Sequence, residues 1–506
     1  MLLPGLKIES DSLVPVYRQI AEGVVAAAKN GSIEPGHRLP PTRDLARDLG
    51  VNRQTVVAAY DYLAAEGLVS SHTGKGTFLA SPSAREGESK APTSGDPWLP
   101  AFSRAVEGSQ VGGLLSVYQA AIRSDGISFA GSYPALELLP VEAFGRAMNR
   151  TLRDGAERFL TYGPIAGHLP LREQIASQMR EAGSKIHTDD LLVTNGAQQA
   201  IELVFNTFLE RGDTVVIEEP TYTGALSVLS SIGARVVTVP VDEGGMRPDL
   251  LAIALERHRP RLLYVQPTFQ NPTTAVMSEA RRRQLLELAA RSRTMVLEDD
   301  WAHGVRFTGR ELPTLHALDP DHVIYVSTFS KKLLPGLRVG WCAARPKIME
   351  RLIALKQIRD CGTSPLLQAA LHTFLEGGGL KTHLQRVISA YQERRDCMLQ
   401  AMDRYFPTEV ARTRPEGGLF IWVTLPRNLD GEELFQAAQS RGVIYNKGDL
   451  FHSNADGSHT LRLTYSTASP SQIETGVKIL GDLIQDRWPG HSEPPPRKPA
   501  ESMPIL

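Results

Sequence analysis

Between Ser327 and Gly340 the chain gathers Thr328, Ser330, the adjacent lysines Lys331 and Lys332, and Arg338. Hydroxyls and a guanidinium suit a phosphate, the guanidinium as a forked donor. A lysine that is to bond an aldehyde has to give up its proton, which partial burial near other positive charge encourages. On composition alone either lysine could serve. Upstream, Met295-Val296-Leu297-Glu298-Asp299-Asp300 reads as a strand delivering acid to its carboxyl end, where ligands bind in open α/β sheets. Thr194-Asn195-Gly196-Ala197-Gln198-Gln199 follows a strand and opens a helix, so its backbone N–H groups and Gln198 suit a phosphate at a positive helix end. Glycine permits the close approach. Taken singly these are ordinary features, since a lone Ser-Lys is usually surface and a strand-end Asp is often a turn or cap. Their shared order along the chain is what points to one site.

Elements must hold those segments together. Apolar runs at 191–193, 214–217, 235–239, 262–265, 295–297 and 323–326 read as strands, alternating with helical stretches such as 197–210 and 278–292. That alternation predicts an α/β domain over residues 116–485. Residues 81–115 shift to Ser, Gly, Pro, Lys and Glu and predict a flexible linker. Residues 486–506, with Pro494-Pro495-Pro496, predict a disordered tail. At 506 residues the chain exceeds one core. It is 42% hydrophobic and 22% charged, with no spanning run of about 20 apolar residues, so a membrane protein is not expected. Its opening lacks a secretory pattern. Cys342, Cys361 and Cys397 are too few for a disulfide framework or a zinc cluster, and a cytoplasmic location is expected.

Near the N-terminus, Tyr17, Ile20, Ala21, Val24 and Ala28 recur at helical spacing. Thr42 reads as the cap of a second, short helix that Gly50 ends, and Asn52 as the cap of a third running to about Glu66. Leu68-Val69 and Thr77-Phe78-Leu79 read as two strands of a small hairpin. Residues 1–80 hold eight basic and eight acidic side chains, so net charge alone does not suggest DNA. The placement of Arg43, Arg47, Arg53 and Lys75 does.

The series Pro15-Val16-Tyr17-Arg18-Gln19-Ile20, Pro35-Gly36-His37-Arg38-Leu39-Pro40-Pro41-Thr42-Arg43-Asp44-Leu45-Ala46, Val51-Asn52-Arg53-Gln54-Thr55-Val56 and Glu66-Gly67-Leu68-Val69 strongly resembles the GntR-type winged helix-turn-helix. The resemblance implies a DNA-binding domain over residues 1–80. Its recognition helix begins at Asn52, so Arg53, Gln54 and Thr55 sit at the end that enters a major groove, while Arg43 and Lys75 suit phosphates. Pro41 and Asn52 stand where serine is commoner.

The larger segment resembles the fold-type I aminotransferases, which implies a mixed, mostly parallel sheet with helices on both faces and pyridoxal 5'-phosphate as cofactor. That family places its lysine directly after the position of Ser330, which selects Lys331 as the Schiff-base residue and sets Arg338 at the family's distance. By the same resemblance Asp299 holds the pyridine nitrogen, Tyr222 stacks on the ring and Asn271 meets the ring hydroxyl. Gly196, Ala197, Gln198, Thr328, Ser330 and Arg338 surround the phosphate, and Arg462 takes a substrate carboxylate. Tyr162 resembles the tyrosine that reaches the phosphate of the other subunit, which implies a homodimer. Three departures stand out: Trp301 replaces a common tyrosine, Thr274 the glycine after Asn271-Pro272-Thr273, and Ala197 a common serine.

A GntR-like winged helix joined to an aminotransferase-like domain resembles the MocR family of bacterial regulators. The resemblance implies a cytoplasmic, nucleoid-associated regulator of a double-stranded DNA operator. In it an internal aldimine on Lys331 would give way to an external aldimine with an amino acid or amine effector. A working aminotransferase and a sensor of pyridoxal phosphate itself are the alternatives.

Overall fold

The computed structural model describes residues 14–29, 32–33, 36–65, 68–72, 76–79, 126–453 and 456–488. They fall into two compact units, one within residues 1–102 and one within 103–506. Lys75, the expected linker at 81–115 and residues 489–506 lie outside the described residues.

In the first unit, helices Val16–Lys29, Thr42–Leu49 and Arg53–Ala65 close around Ile20, Val24, Leu45, Val56, Ala59 and Leu63, all sealed from water. Strands β1 (Val69–His72) and β2 (Gly76–Leu79) pair antiparallel, with Val69 opposite Leu79. Gly50 ends the second helix at φ +66, where a residue without Cβ carries no strain. Asn52 Oδ1 accepts from Gln54 N at 2.8 Å at the start of the third. The start of the second differs from expectation. Thr42 is its first residue, and Pro41 occupies the cap position without a side-chain hydrogen bond. The proline ring fixes the entry direction by itself, and Thr42 Oγ1 instead accepts from Arg53 Nε at 3.4 Å.

In the second unit eight strands form one sheet. Their order is β4 (Leu191–Thr194), β11 (Gly340–Ala343), β10 (Val323–Thr328), β9 (Met295–Asp299), β8 (Leu262–Val265), β5 (Thr214–Glu219), β6 (Arg235–Asp242), β7 (Gly245–Met246). From β10 through β6 the neighbours are parallel, whereas β11 is antiparallel to both its neighbours and β7 to β6. Alternate residues of one strand serve opposite layers. Val215 and Ile217 pack with helices Ala197–Phe208 and Thr223–Ile232, while Val216 packs with helices Pro248–His258 and Glu279–Ser292. A strand covered on both faces has to be apolar throughout, which is why these strands appear in the sequence as unbroken runs.

A four-stranded antiparallel sheet follows in the order β12 (Ala411–Arg412), β13 (Phe420–Thr424), β16 (Thr460–Thr464), β15 (Asn446–Lys447). It shares a core with helices Gly379–Tyr405 and Pro470–Arg487, the latter running past the expected boundary at 485. β3 (Ile127–Ser128) and β14 (Val443–Ile444) pair parallel. Among the described residues no helix is long and apolar enough to cross a membrane.

One close approach ties the large sheet to the turn after β4. A Cβ on Gly340 would lie 2.6 Å from Gly196 C, 2.8 Å from Ala197 N and 2.8 Å from Ser327 O. These are backbone atoms and cannot step aside singly. Gly340→Ala is expected to cost this unit about 1–3 kcal/mol, the usual penalty of overpacking, seen as a lower urea midpoint. An unchanged midpoint would mean that the turn has slack.

Candidate functional site

The carboxyl ends of the parallel strands converge on a cavity of about 600 Å³. β9 brings Asp299, β10 brings Thr328, and the loop after β10 brings Ser330, Lys331 and Arg338. Ala197 and Gln198 come from the turn after β4, Tyr222 from the loop after β5, and Gln266 and Asn271 from the loop after β8. The antiparallel sheet supplies the other wall through Phe420, Asn446 and Arg462. Residues that lie far apart along the chain thus meet because parallel strands all end on one side.

The adjacent lysines part company here. Lys331 lines the cavity and its Nζ donates to Ser132 O at 2.8 Å. Lys332 is buried elsewhere, donates to His303 O at 3.2 Å and borders a separate void of about 20 Å³. Removal from water, then the positive charges of Arg462 and Arg338, pull the Lys331 ammonium down from 10.5 to about 8.

Asp299 is 1% exposed. Its Oδ2 accepts from Tyr264 OH at 2.7 Å and from Gln266 Nε2 at 2.9 Å. Its Oδ1 is buried with no hydrogen-bond partner. Burial pushes this carboxyl up to about 6, and the two donors restrain the rise. An orphaned acceptor on a cavity wall is satisfied only by a donor brought in from outside, best a cationic one.

Another set of groups along the cavity suits an anion. Gly196 stands at φ +83 before helix Ala197–Phe208, and a Cβ there would sit 2.6 Å from Arg338 Nη2. Gly196 does not itself line the cavity; it leaves room for the guanidinium. Arg338 holds the left-handed region at φ +51 and donates to Asn195 O at 3.1 Å. Thr328 Oγ1 and Ser330 Oγ lie 3.0 Å apart. Hydroxyls, a guanidinium and a helix N-terminus together make a phosphate-sized anion site.

Tyr222 lines the cavity with its hydroxyl donated to Gln198 Oε1 at 2.8 Å, and burial pushes its phenol up to about 12. Trp301 contributes ring surface, stacked on Phe420 at 5.3 Å. Its indole N–H is spent on Phe269 O at 3.1 Å. Arg462 lies between the rings of Phe420 and Phe451, 4.6 and 4.8 Å from their centroids, and donates to Asn271 Oδ1 at 2.8 Å. Its Nε is buried without a partner, and burial pulls the guanidinium down to about 9. Such a group suits a carboxylate.

Tyr162 is 87% exposed and outside this cavity. Arg43, Arg53 and Gln54 are exposed and Thr55 half-buried in the first unit. Thr274, one of the sequence departures, takes φ +63 while 4% exposed. The left-handed region strains a β-branched residue, which accounts for glycine as the expected occupant. Sequence reasoning missed Ala130, Gly131, Ser132, Tyr133, Thr223, Gln266, Phe420 and Asn446, all of which line the cavity. Gln266 alone carried a readable signal, as a polar residue directly after an apolar strand.

Comparison with known proteins gives two family matches, bacterial regulatory proteins of the gntR family over residues 16–79 and aminotransferase class I and II over residues 129–480. The chain is 38% identical to 2-aminoadipate transaminase of Thermus thermophilus, over 77% of this chain and 97% of that protein. It is 32% identical to the "Probable rhizopine catabolism regulatory protein MocR" of Rhizobium meliloti, over 94% of this chain and 95% of that protein. The crystal structure of LysN, the α-aminoadipate aminotransferase of Thermus thermophilus complexed with N-(5'-phosphopyridoxyl)-L-leucine, superposes with a TM-score of 0.71 at 36% identity, covering 76% of this chain and 97% of that one. Fold, cavity and full-length relatives agree: the chain belongs to the MocR-type regulators, in which a GntR-family DNA-binding region is joined to a class I and II aminotransferase domain.

Proposed function

We propose that this chain is a transcription regulator that holds pyridoxal phosphate on Lys331 and changes its DNA binding when an amino acid or amine displaces that lysine. One observation carries this: a GntR-type reader shares its chain with a cavity that has an amine, an unpaired acid and an anion cradle. Class I and II aminotransferases typically bind pyridoxal phosphate, and the residues present fit it. The orphaned Oδ1 of Asp299 suits a protonated pyridine nitrogen, and Arg338, Ser330, Thr328 and the helix N-terminus at Ala197 suit the phosphate. Asn271 is within the same wall for the ring hydroxyl, and Tyr222 for the ring face.

When bound, this cofactor supplies an aldehyde and an electron-withdrawing ring. The chain supplies the rest. With its ammonium near 8 instead of 10.5, Lys331 carries about three hundredfold more neutral amine at neutral pH than an ordinary lysine. Asp299 keeps a proton on the ring nitrogen, and Arg462 orients an incoming α-carboxylate. The charged side chains lining the cavity are Asp299, Lys331, Arg338 and Arg462, and each has a role in this assignment. An effector side chain then meets Gly131, Tyr133, Trp301 and Phe420, which favours an uncharged one.

A homodimer is part of the proposal. Aminotransferase folds are usually dimeric, and seven of the ten exposed large hydrophobics among the described residues fall between Tyr133 and Leu169, Tyr162 among them. Apolar surface of this kind marks protein contacts. Paired winged helices would then read paired half-sites. The complete set of Lys331, Asp299 and Arg462 also favours a second reading, a working aminotransferase. Sustained turnover of an amino acid with 2-oxoglutarate, with no effect of amines on DNA binding, would replace the first reading by the second. DNA affinity that responds to pyridoxal phosphate alone would point to a sensor of the cofactor.

Three predictions follow, two from these roles and one from the DNA-binding region. Wild type mixed with pyridoxal phosphate is expected to show a visible absorption band that Lys331→Ala lacks and Lys332→Ala keeps, and uncharged α-amino acids should shift both that band and the operator affinity. A band retained in Lys331→Ala would move the bond to another lysine. The rate of band formation should rise with pH and level off above about 8, since the neutral Lys331 amine is the competent form; a rise continuing toward 10 would point to an ordinary surface lysine. In the first unit, Arg43→Ala should weaken operator and random DNA alike and lower the salt slope by about one, whereas Gln54→Ala should cost about 1–3 kcal/mol on the operator alone. Equal losses on both DNAs for Gln54→Ala would remove it from base reading.

A further inference from the structure

In the cavity wall, one side chain joins residues that the proposed function treats as separate. Gln266, 1% exposed, donates from Nε2 to Asp299 Oδ2 at 2.9 Å and accepts at Oε1 from the Asn271 backbone N–H at 3.1 Å. Its own backbone N–H donates to Glu218 Oε2 at 3.1 Å, which fixes the main chain at the end of β8. The amide has only one workable orientation. An ionised carboxylate only accepts and a backbone N–H only donates, so a flip would set oxygen against oxygen and N–H against N–H. Asn271 Oδ1 in turn accepts from Arg462 Nη1 at 2.8 Å. Asp299, Gln266, Asn271 and Arg462 therefore form one continuous run of hydrogen bonds along the cavity.

We propose that Gln266 is a positioning residue that holds the Asp299 carboxylate and the Asn271 segment in register, so that the acid meant for the ring nitrogen and the residue meant for the ring hydroxyl keep a fixed separation. This rests on the assignment of pyridoxal phosphate to the cavity. Tyr264 is the other donor to Asp299 Oδ2, but it makes no bond to Asn271 and cannot set that distance. Gln266 also keeps Asp299 ionised, since a donor to a buried carboxylate favours its charged form. The neighbouring Glu218, which burial pushes up to about 8, is neutral near pH 7 and adds no competing charge at the Gln266 backbone.

The test is the affinity of the purified full chain for pyridoxal phosphate, followed by absorbance from pH 6 to pH 9 in wild type, Gln266→Met and Gln266→Glu. Methionine keeps the volume and removes both hydrogen bonds. The Kd should rise about tenfold, the scale of a lost bond to a charged group, and the pH midpoint of the bound chromophore should move upward as the ring loses positive charge. Glutamate serves as an internal control and covers a failure of the methionine variant to fold. Protonated, it still donates one O–H to Asp299; ionised, it repels it. Its Kd relative to wild type should be near one in mild acid and climb steadily with pH. A merely structural role would lower the melting temperature of both variants and leave the midpoint and the relative Kd flat across pH, which would overturn the proposal. Absence of cofactor binding by wild type would instead overturn the assignment on which it rests.

Discussion

A carboxylate held almost entirely out of water at the end of a parallel strand is the condition that organises the second unit. Asp299 at 1% exposure is tolerable only with donors at hand, and the backbone of a parallel sheet offers none beyond the last rung. Tyr264 and Gln266 meet one oxygen from the adjacent strand and its loop; the other is left unpaired. The helices on both faces keep water away from this place, the loop after β10 brings Lys331 and Arg338 to the same cavity, and the antiparallel sheet brings Arg462. The cavity thus holds one buried acid together with three positive side chains and several aromatic rings.

Much of this was legible in the sequence because the parallel strands are mostly apolar along their length, with polar residues such as Glu219, Asp299 and Thr328 at their carboxyl ends. Six apolar runs named six of the eight strands of the large sheet, and the resemblance to the aminotransferases then named Asp299, Lys331, Arg338, Asn271 and Tyr222. Some of the missed wall residues, Ala130, Gly131 and Phe420, are apolar or small and look like core; Phe420 reaches the cavity on the antiparallel sheet, and Ala130 and Gly131 on the segment after β3. No local pattern announces such a meeting. Composition left Lys331 and Lys332 equal, and only the turn after β10 sends one into the cavity and the other toward His303.

Two backbone details mark the edge of what sequence reasoning reaches. Thr42 has the chemistry of a cap, yet Pro41 before it already fixes the chain's direction, so the hydroxyl is free for Arg53. Thr274 was recognisable as a departure from glycine, but only the left-handed φ of +63 gives the departure a physical meaning. The loop that carries Asn271 accepts a strained threonine three residues on, held by its hydrogen bond to Thr413 Oγ1 at 3.3 Å.

In the first unit, two of the basic side chains are answered by nearby acids. Arg18 lies 3.8 Å from Glu22, and Arg47 lies 3.3 Å from Asp44 and 3.8 Å from Asp48. Side chains paired in this way add little to loose binding of arbitrary duplex, which is driven by released counterions.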